Sequence, residues 1–172
     1  MKRPHRSVLG TGILLAISLA TAAAQAAPPQ QLDSWQGCIL RVEGAPIPVT
    51  LEHAATNQQR QWGLMERDTL AADAGMLFFY ENPRPASAGF WMYRTLLPLD
   101  IAWLDEDGVI LAMDTMEPCE TEQARDCPVW EPGVRHQNVL EMNAGFFEAH
   151  HVRIGDTLLA NLNDNKPCPL AP

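Results

Sequence analysis

Two short apolar runs on either side of a polar knot constrain this chain most: Leu99 to Leu104 and Val109 to Thr115 flank Asp105-Glu106-Asp107-Gly108. A three-residue loop of Glu106, Asp107 and Gly108 puts glycine at the left-handed position of a bulged hairpin turn. The runs then pair antiparallel, with Asp105 opposite Val109 and Leu104 opposite Ile110. Continuing outward without interruption, Trp103, Ile101 and Leu99 meet Leu111, Met113 and Thr115 on a core-facing side. The other side carries Ala102 with Ala112 and Asp100 with Asp114.

The rest of the chain reads in the same short units. Ile47 to His53 alternates apolar and polar residues like a half-buried strand, and Gly75 to Tyr80 is a compact aromatic run suited to a buried one. Phe90 to Thr95, Asn138 to Met142 and Thr157 to Leu162 are further strands. Thr56 and Gln59 form a Thr-x-x-Gln box that starts a short helix ending at Gly63, and Gly145 to His151 supplies another turn or two of helix. The prolines between Asn82 and Ala86 and between Cys119 and Gly133 mark loops. Brief helices among many strands predict a mainly β fold, an antiparallel β-sandwich or partly open barrel with one or two short helices.

The N-terminus has the layout of an export signal. Lys2, Arg3, His5 and Arg6 precede an apolar run from Val8 to Ala20, and Ala24-Gln25-Ala26 supplies small residues for cleavage before Ala27. The expected organisation is a signal peptide at 1–26, a flexible leader at 27–36 and one domain at 37–172. The expected location is periplasmic or secreted. Losing Lys2, Arg3 and Arg6 moves the formal charge from −9 to about −12. Nucleic acid and anionic membranes, which bind through clustered Lys and Arg, are poor partners for such a surface. A monomer with no membrane contact after cleavage is expected.

All four cysteines follow the signal, and an oxidising compartment favours disulfides. Of three possible pairings, Cys119 with Cys127 is preferred because the polar loop between them is easy to close. That leaves Cys38 with Cys168, which ties the ends of the domain together. No metal centre and no cofactor are expected, since neither pair has C-x-x-C spacing and no glycine-rich phosphate cradle is present.

Several motifs carry a family resemblance. They are Arg60-Gln-Trp-Gly-Leu-Met65, Gly75-Met-Leu-Phe78, Phe90-Trp-Met92 with Thr95, Pro98-Leu-Asp-Ile101, Met116-Glu-Pro-Cys119, Cys127-Pro128, Val139-Leu-Glu141, Ala144-Gly145 and Gly155-Asp156. In order and spacing this series resembles the domain of unknown function 192 family over about residues 47–160. The resemblance implies a β-sandwich-like domain, often exported, without an established activity. Where the family typically has Lys-Asn-Thr after Trp-Met, Tyr93-Arg94-Thr95 stands here.

In the hairpin register above, Asp100 and Asp114 oppose each other, and paired carboxylates about 5 Å apart need a compensating Arg, proton, cation or ligand. Arg94 lies closest in sequence, Trp91 and Tyr93 offer stacking faces, and Thr95 and Glu117 lie on the adjoining motifs. These seven residues, Trp91, Tyr93, Arg94, Thr95, Asp100, Asp114 and Glu117, are the candidate ligand-binding set. The plainer alternative makes Asp100 a turn residue and leaves the pair hydrated or bridged by Arg94. Carboxylates beside aromatic rings suit a small ligand or glycan, bound by a non-catalytic envelope module. The same pair could serve a glycan hydrolase of retaining geometry. The methionines, with His53, His136, His150 and His151, raise a third reading, periplasmic copper binding.

Overall fold

The computed structural model describes residues 29–121, 123–160 and 168; the expected signal peptide and the end of the last expected strand lie outside the described residues. The chain forms β1 (Ser34–Leu40), β2 (Ile47–Ala54), α1 (Asn57–Trp62), β3 (Ala74–Phe78), β4 (Phe90–Trp91), β5 (Leu99–Leu104), β6 (Ile110–Met116), β7 (Val129–Trp130), β8 (Asn138–Asn143), α2 (Phe146–Ala149) and β9 (Thr157–Ala160), with one 3-10 turn at Ala124–Asp126. Seven strands build one sheet in the order β6-β5-β8-β3-β2-β1-β9, and β4 with β7 makes a separate two-stranded ribbon.

The mainly β expectation holds, with two short α-helices, but the large sheet is mixed. β2 and β3 run parallel while all its other pairs are antiparallel. A parallel pair needs a crossover of a dozen or more residues, and residues 55–73, with α1 among them, provide it. The sheet is not closed into a barrel, yet its outer strands meet at one corner. There the Leu158 N–H donates to Gly108 O and the Ile110 N–H to Asp156 O.

Residues of β5 feed two apolar layers, one on each face. Ala102 and Leu104 join Val49, Leu51, Leu77, Leu140, Phe146 and Phe147. Leu99, Ile101 and Trp103 join Leu64, Met76, Phe78, Met92, Met116 and Val139. Every residue of β5 is consequently buried. The second layer is roofed by α1, the loop after it and the β4–β7 ribbon, and the candidate site opens beneath that roof.

The leader expected at 27–36 is anchored in its described part. The Gln30 amide donates to Gln59 O and Gly63 O, the Leu32 N–H donates to Glu52 Oε2, and β1 has begun by Ser34. Arg67 clamps this start, reaching Gln30 O at 2.6 Å and Glu52 Oε2 at 2.8 Å. The strand expected from Phe90 to Thr95 is cut to two residues, because Arg94 turns the chain at φ 56° and the Thr95 N–H closes back on Met92 O. Both preferred disulfides are formed, Cys119 with Cys127 and Cys38 with Cys168. Among the described residues no helix is long and apolar enough to cross a membrane.

The hairpin turn matches its expectation through Ile110 and departs from it one residue later. The Asp105 N–H bonds Val109 O, Gly108 has φ 84°, and Leu104 pairs with Ile110. Then a bulge at Leu111 pairs Trp103 with Ala112, so Ile101 meets Asp114 and Asp100 meets Thr115. One inserted residue reverses the facing of everything beyond it. Asp100 and Asp114 therefore lie on opposite faces, and the expected carboxylate pair does not exist.

Candidate functional site

Asp100 is 2% exposed and fully engaged: it accepts from Thr115 Oγ1 at 2.8 Å and from the Phe147 N–H at 2.9 Å. It ties β5 to β6 and to the start of α2. Asp114 is exposed and accepts the N–H of Thr115, and Glu117 is exposed at the end of β6. None of the three lines the cleft that the aromatic residues meet. The retaining-hydrolase arrangement built on Asp100 and Asp114 is thereby overturned.

Met76, Met92 and Met116 fill one apolar layer and Met142 the other. Among the described residues no group of three or more His, Cys, Asp or Glu side chains could hold a metal ion.

The aromatic half of the expected set does meet a cavity. A cleft of about 290 Å³ runs between α1 and the β4–β7 ribbon, lined by Arg60, Trp62, Met65, Phe78, Tyr80, Arg84, Phe90, Trp91, Thr95 and Glu141 among others. Trp91 is exposed at its rim, with the Tyr93 ring 5.9 Å away, and Thr95 is buried in its lining. Arg94 does not face a carboxylate pair; it forms an ion pair with Glu66 and lies 5.6 Å from the Trp62 ring centroid.

Each wall has a local cause. The Thr56 side chain takes the Gln59 N–H while the Gln59 side chain takes that of Thr56, and this box sets the first turn of α1. Gly63 then ends the helix at φ 51°, a conformation that disfavours side chains, and a Cβ there would lie 3.3 Å from the Phe78 ring. The opposite wall stands because Phe90 pairs with Trp130 and packs edge-on against Phe78 with centroids 5.0 Å apart. The Cys119–Cys127 bridge closes the loop that leads into β7.

At the floor sits Glu141, in the middle of β8 between Met76 and Ile101 of the neighbouring strands. It is 4% exposed, and among the described residues its carboxyl has no hydrogen-bond or ion-pair partner. Burial alone pushes its pKa up to about 8, so the group is protonated at neutral pH. Two further lining atoms, Trp62 Nε1 and Arg84 Nε, are buried donors with no acceptor. Buried polar groups in folded proteins are almost always paired, and two unpaired donors beside a buried carboxyl make this cleft the candidate site.

Glu141, Arg60, Trp62, Tyr80 and Arg84 were not among the residues expected at the site. The available signal was Glu141 itself, a carboxyl on the same strand face as Val139 in an otherwise apolar run.

The family model of DUF192, described as an uncharacterized ACR, matches residues 38–160, a span that encloses every residue lining the cleft. A solved structure from Sinorhizobium meliloti 1021, provisionally described as a transcription regulator, is 30% identical with a TM-score of 0.67, covering 75% of this chain and 95% of that one. A protein of unknown function from Novosphingobium aromaticivorans DSM 12444 is 26% identical at the same TM-score, covering 81% of this chain and 94% of its own. No curated protein matches. Motif segments that carry the resemblance, Arg60 to Met65, Gly75 to Phe78, Phe90 to Met92 and Val139 to Glu141, come together around the cleft. The chain belongs to the DUF192 family.

Proposed function

We propose that this domain is an exported, monomeric envelope module that binds a small ring-shaped ligand, of sugar type, without catalysing a reaction on it. The observation that carries the reading is Glu141: an unpartnered carboxyl at the floor of a cleft walled by Trp62, Phe90, Trp91 and Tyr80. Keeping such a group buried costs stability, and a ligand that hydrogen-bonds it offsets that cost. The aromatic walls suit the apolar face of a sugar ring, and the volume sits near the lower end of small-ligand pockets, about 300 Å³.

Export is supported by the basic start, the apolar run and Ala24-Gln25-Ala26, together with two closed disulfides. The excess of Asp and Glu, 21 against 12 Lys and Arg, argues against nucleic acid, so the regulator description stays with the Sinorhizobium protein.

Titration of the purified protein with soluble envelope oligosaccharides, read by tryptophan emission, tests the proposal. A saturable change that Trp91→Ala removes, with no new reducing ends, is the expected result. No change in emission or in amide NMR shifts would reject binding. Release of reducing ends that Glu141→Gln abolishes would replace the binding module with a hydrolase.

A further inference from the structure

Positive charge gathers at one end of the cleft. Three of the described arginines have a carboxylate partner, Arg67 with Glu52, Arg94 with Glu66 and Arg125 with Asp126. Arg60 and Arg84 have none among the described residues. The Arg60 guanidinium is held by neutral acceptors, Ala55 O, Phe79 O and Asn57 Oδ1. Arg84 Nε has no acceptor among the described residues. Both guanidiniums lie over the Tyr80 ring, 4.6 and 4.2 Å from its centroid, so two positive charges flank one ring at one end of the cleft. Glu81, in the adjoining hollow, pairs with neither.

Among the described residues the only carboxyl in the lining is Glu141, which burial keeps protonated and therefore a donor at neutral pH. Trp62 Nε1 is one more donor without an acceptor. The cleft thus offers donors and positive charge in a chain of net charge −9.

We infer that the ligand is a small organic anion, a single ring bearing a carboxylate, whose charged group is held by Arg84 with Arg60 beside it while the ring lies between Trp62 and Trp91. Guanidinium pairs carboxylate through two parallel N–H donors, and the Arg84 side chain lines the cleft with no carboxylate partner among the described residues. The inference rests on the binding reading above and narrows its ligand.

N-acetylmuramate and N-acetylglucosamine share a ring and differ by one carboxylate-bearing ether, which makes them suitable probes. Titrated into the wild-type protein at pH 6.5, N-acetylmuramate is expected to bind about tenfold tighter, the scale of one charge-assisted contact. Arg84→Gln is expected to remove that preference by weakening only N-acetylmuramate, and Arg84→Lys to retain part of it. Thermal unfolding of both variants separates lost binding from lost fold. Equal binding of the two sugars, or a preference that survives in Arg84→Gln, overturns the anion inference and leaves the sugar site standing. Binding of neither overturns both.

Discussion

Glu66 and Arg94 are joined twice, by an ion pair between their side chains and by a 2.8 Å hydrogen bond from the Glu66 N–H to Arg94 O, and both have left-handed backbones, at φ 62° and 56°. Non-glycine residues rarely hold that conformation, and the cost of order 1–3 kcal/mol persists only where surrounding contacts impose it. Here each residue imposes it on the other. The strut joins the loop after α1 to the turn after β4, and Met65 and Thr95, one residue away on either side, both line the cleft.

The ion pair should therefore couple measurably. In a double-mutant cycle with Glu66→Ala and Arg94→Ala, urea unfolding is expected to give a coupling of about 0.5–1.5 kcal/mol. Independent, additive effects would show that the pair does not hold the rim.

Glu141 predicts a pH dependence of stability. Its carboxyl is pushed up to about 8 in the fold, against an ordinary value of 4.5, so the folded state binds the proton more tightly. Its contribution is fully present below pH 4.5 and is lost as pH rises towards 8. Burial lowers the pKa of His53 and of His136, which lose stability in the opposite direction, as pH falls below 6.5. The charged and titratable groups sharing the cleft with Glu141 are Arg60, Arg84 and Tyr80, and burial raises the Tyr80 hydroxyl above its ordinary range. Between pH 6.5 and 8 the wild-type protein should lose about 1–2 kcal/mol relative to Glu141→Gln, the histidine contribution being common to both. Equal slopes in the two proteins would mean that Glu141 is ionised in the fold.

Asp100 and Asp114 give the sharpest test of register. Asp100→Ala leaves Thr115 Oγ1 and the buried Phe147 N–H without their acceptor, and is expected to cost about 2–3 kcal/mol. Asp114→Ala removes an exposed side chain whose bond is to the next residue in the chain, and should change stability by less than about 0.5 kcal/mol. Equal costs in chemical denaturation would restore the facing carboxylates.

These two residues also mark how far the sequence could be read. Local chemistry was legible: the Thr56–Gln59 box, the left-handed Gly108 and the closing of Cys119 on Cys127 are each set by residues a few positions apart. The bulge at Leu111 was not, because Ile110, Leu111 and Ala112 are all apolar and no pattern shows which of them is extra. Nor was the burial of β5 on both faces, which depends on a roof brought from β4 and β7, residues distant in the chain. The cleft failed to emerge for the same reason. Arg60, Arg84, Trp91 and Glu141 span the middle of the chain and meet only when the parallel crossover and the ribbon are in place.

The two disulfides should separate stability from binding. On the chain-entropy account, the bridge spanning 130 residues contributes about 5 kcal/mol and the one spanning 8 about 2–3 kcal/mol. Their positions reverse that order for the cleft. Cys38 lies on β1, next to the sheet's outermost strand β9, and neither strand lines the cleft. Cys119 donates its N–H to Met92 O beside β4, and Cys127 leads directly into β7, whose Trp130 pairs with Phe90 of the cleft wall. Replacing Cys38 and Cys168 by Ser is thus expected to lower the urea midpoint more, with ligand affinity kept in the molecules still folded. Replacing Cys119 and Cys127 by Ser is expected to lower the midpoint less but weaken the tryptophan-monitored titration several-fold, because Phe90 and Trp91 lose the strand that fixes them. If the long-range bridge governed binding and the short one did not, the ribbon would not be what holds the cleft open.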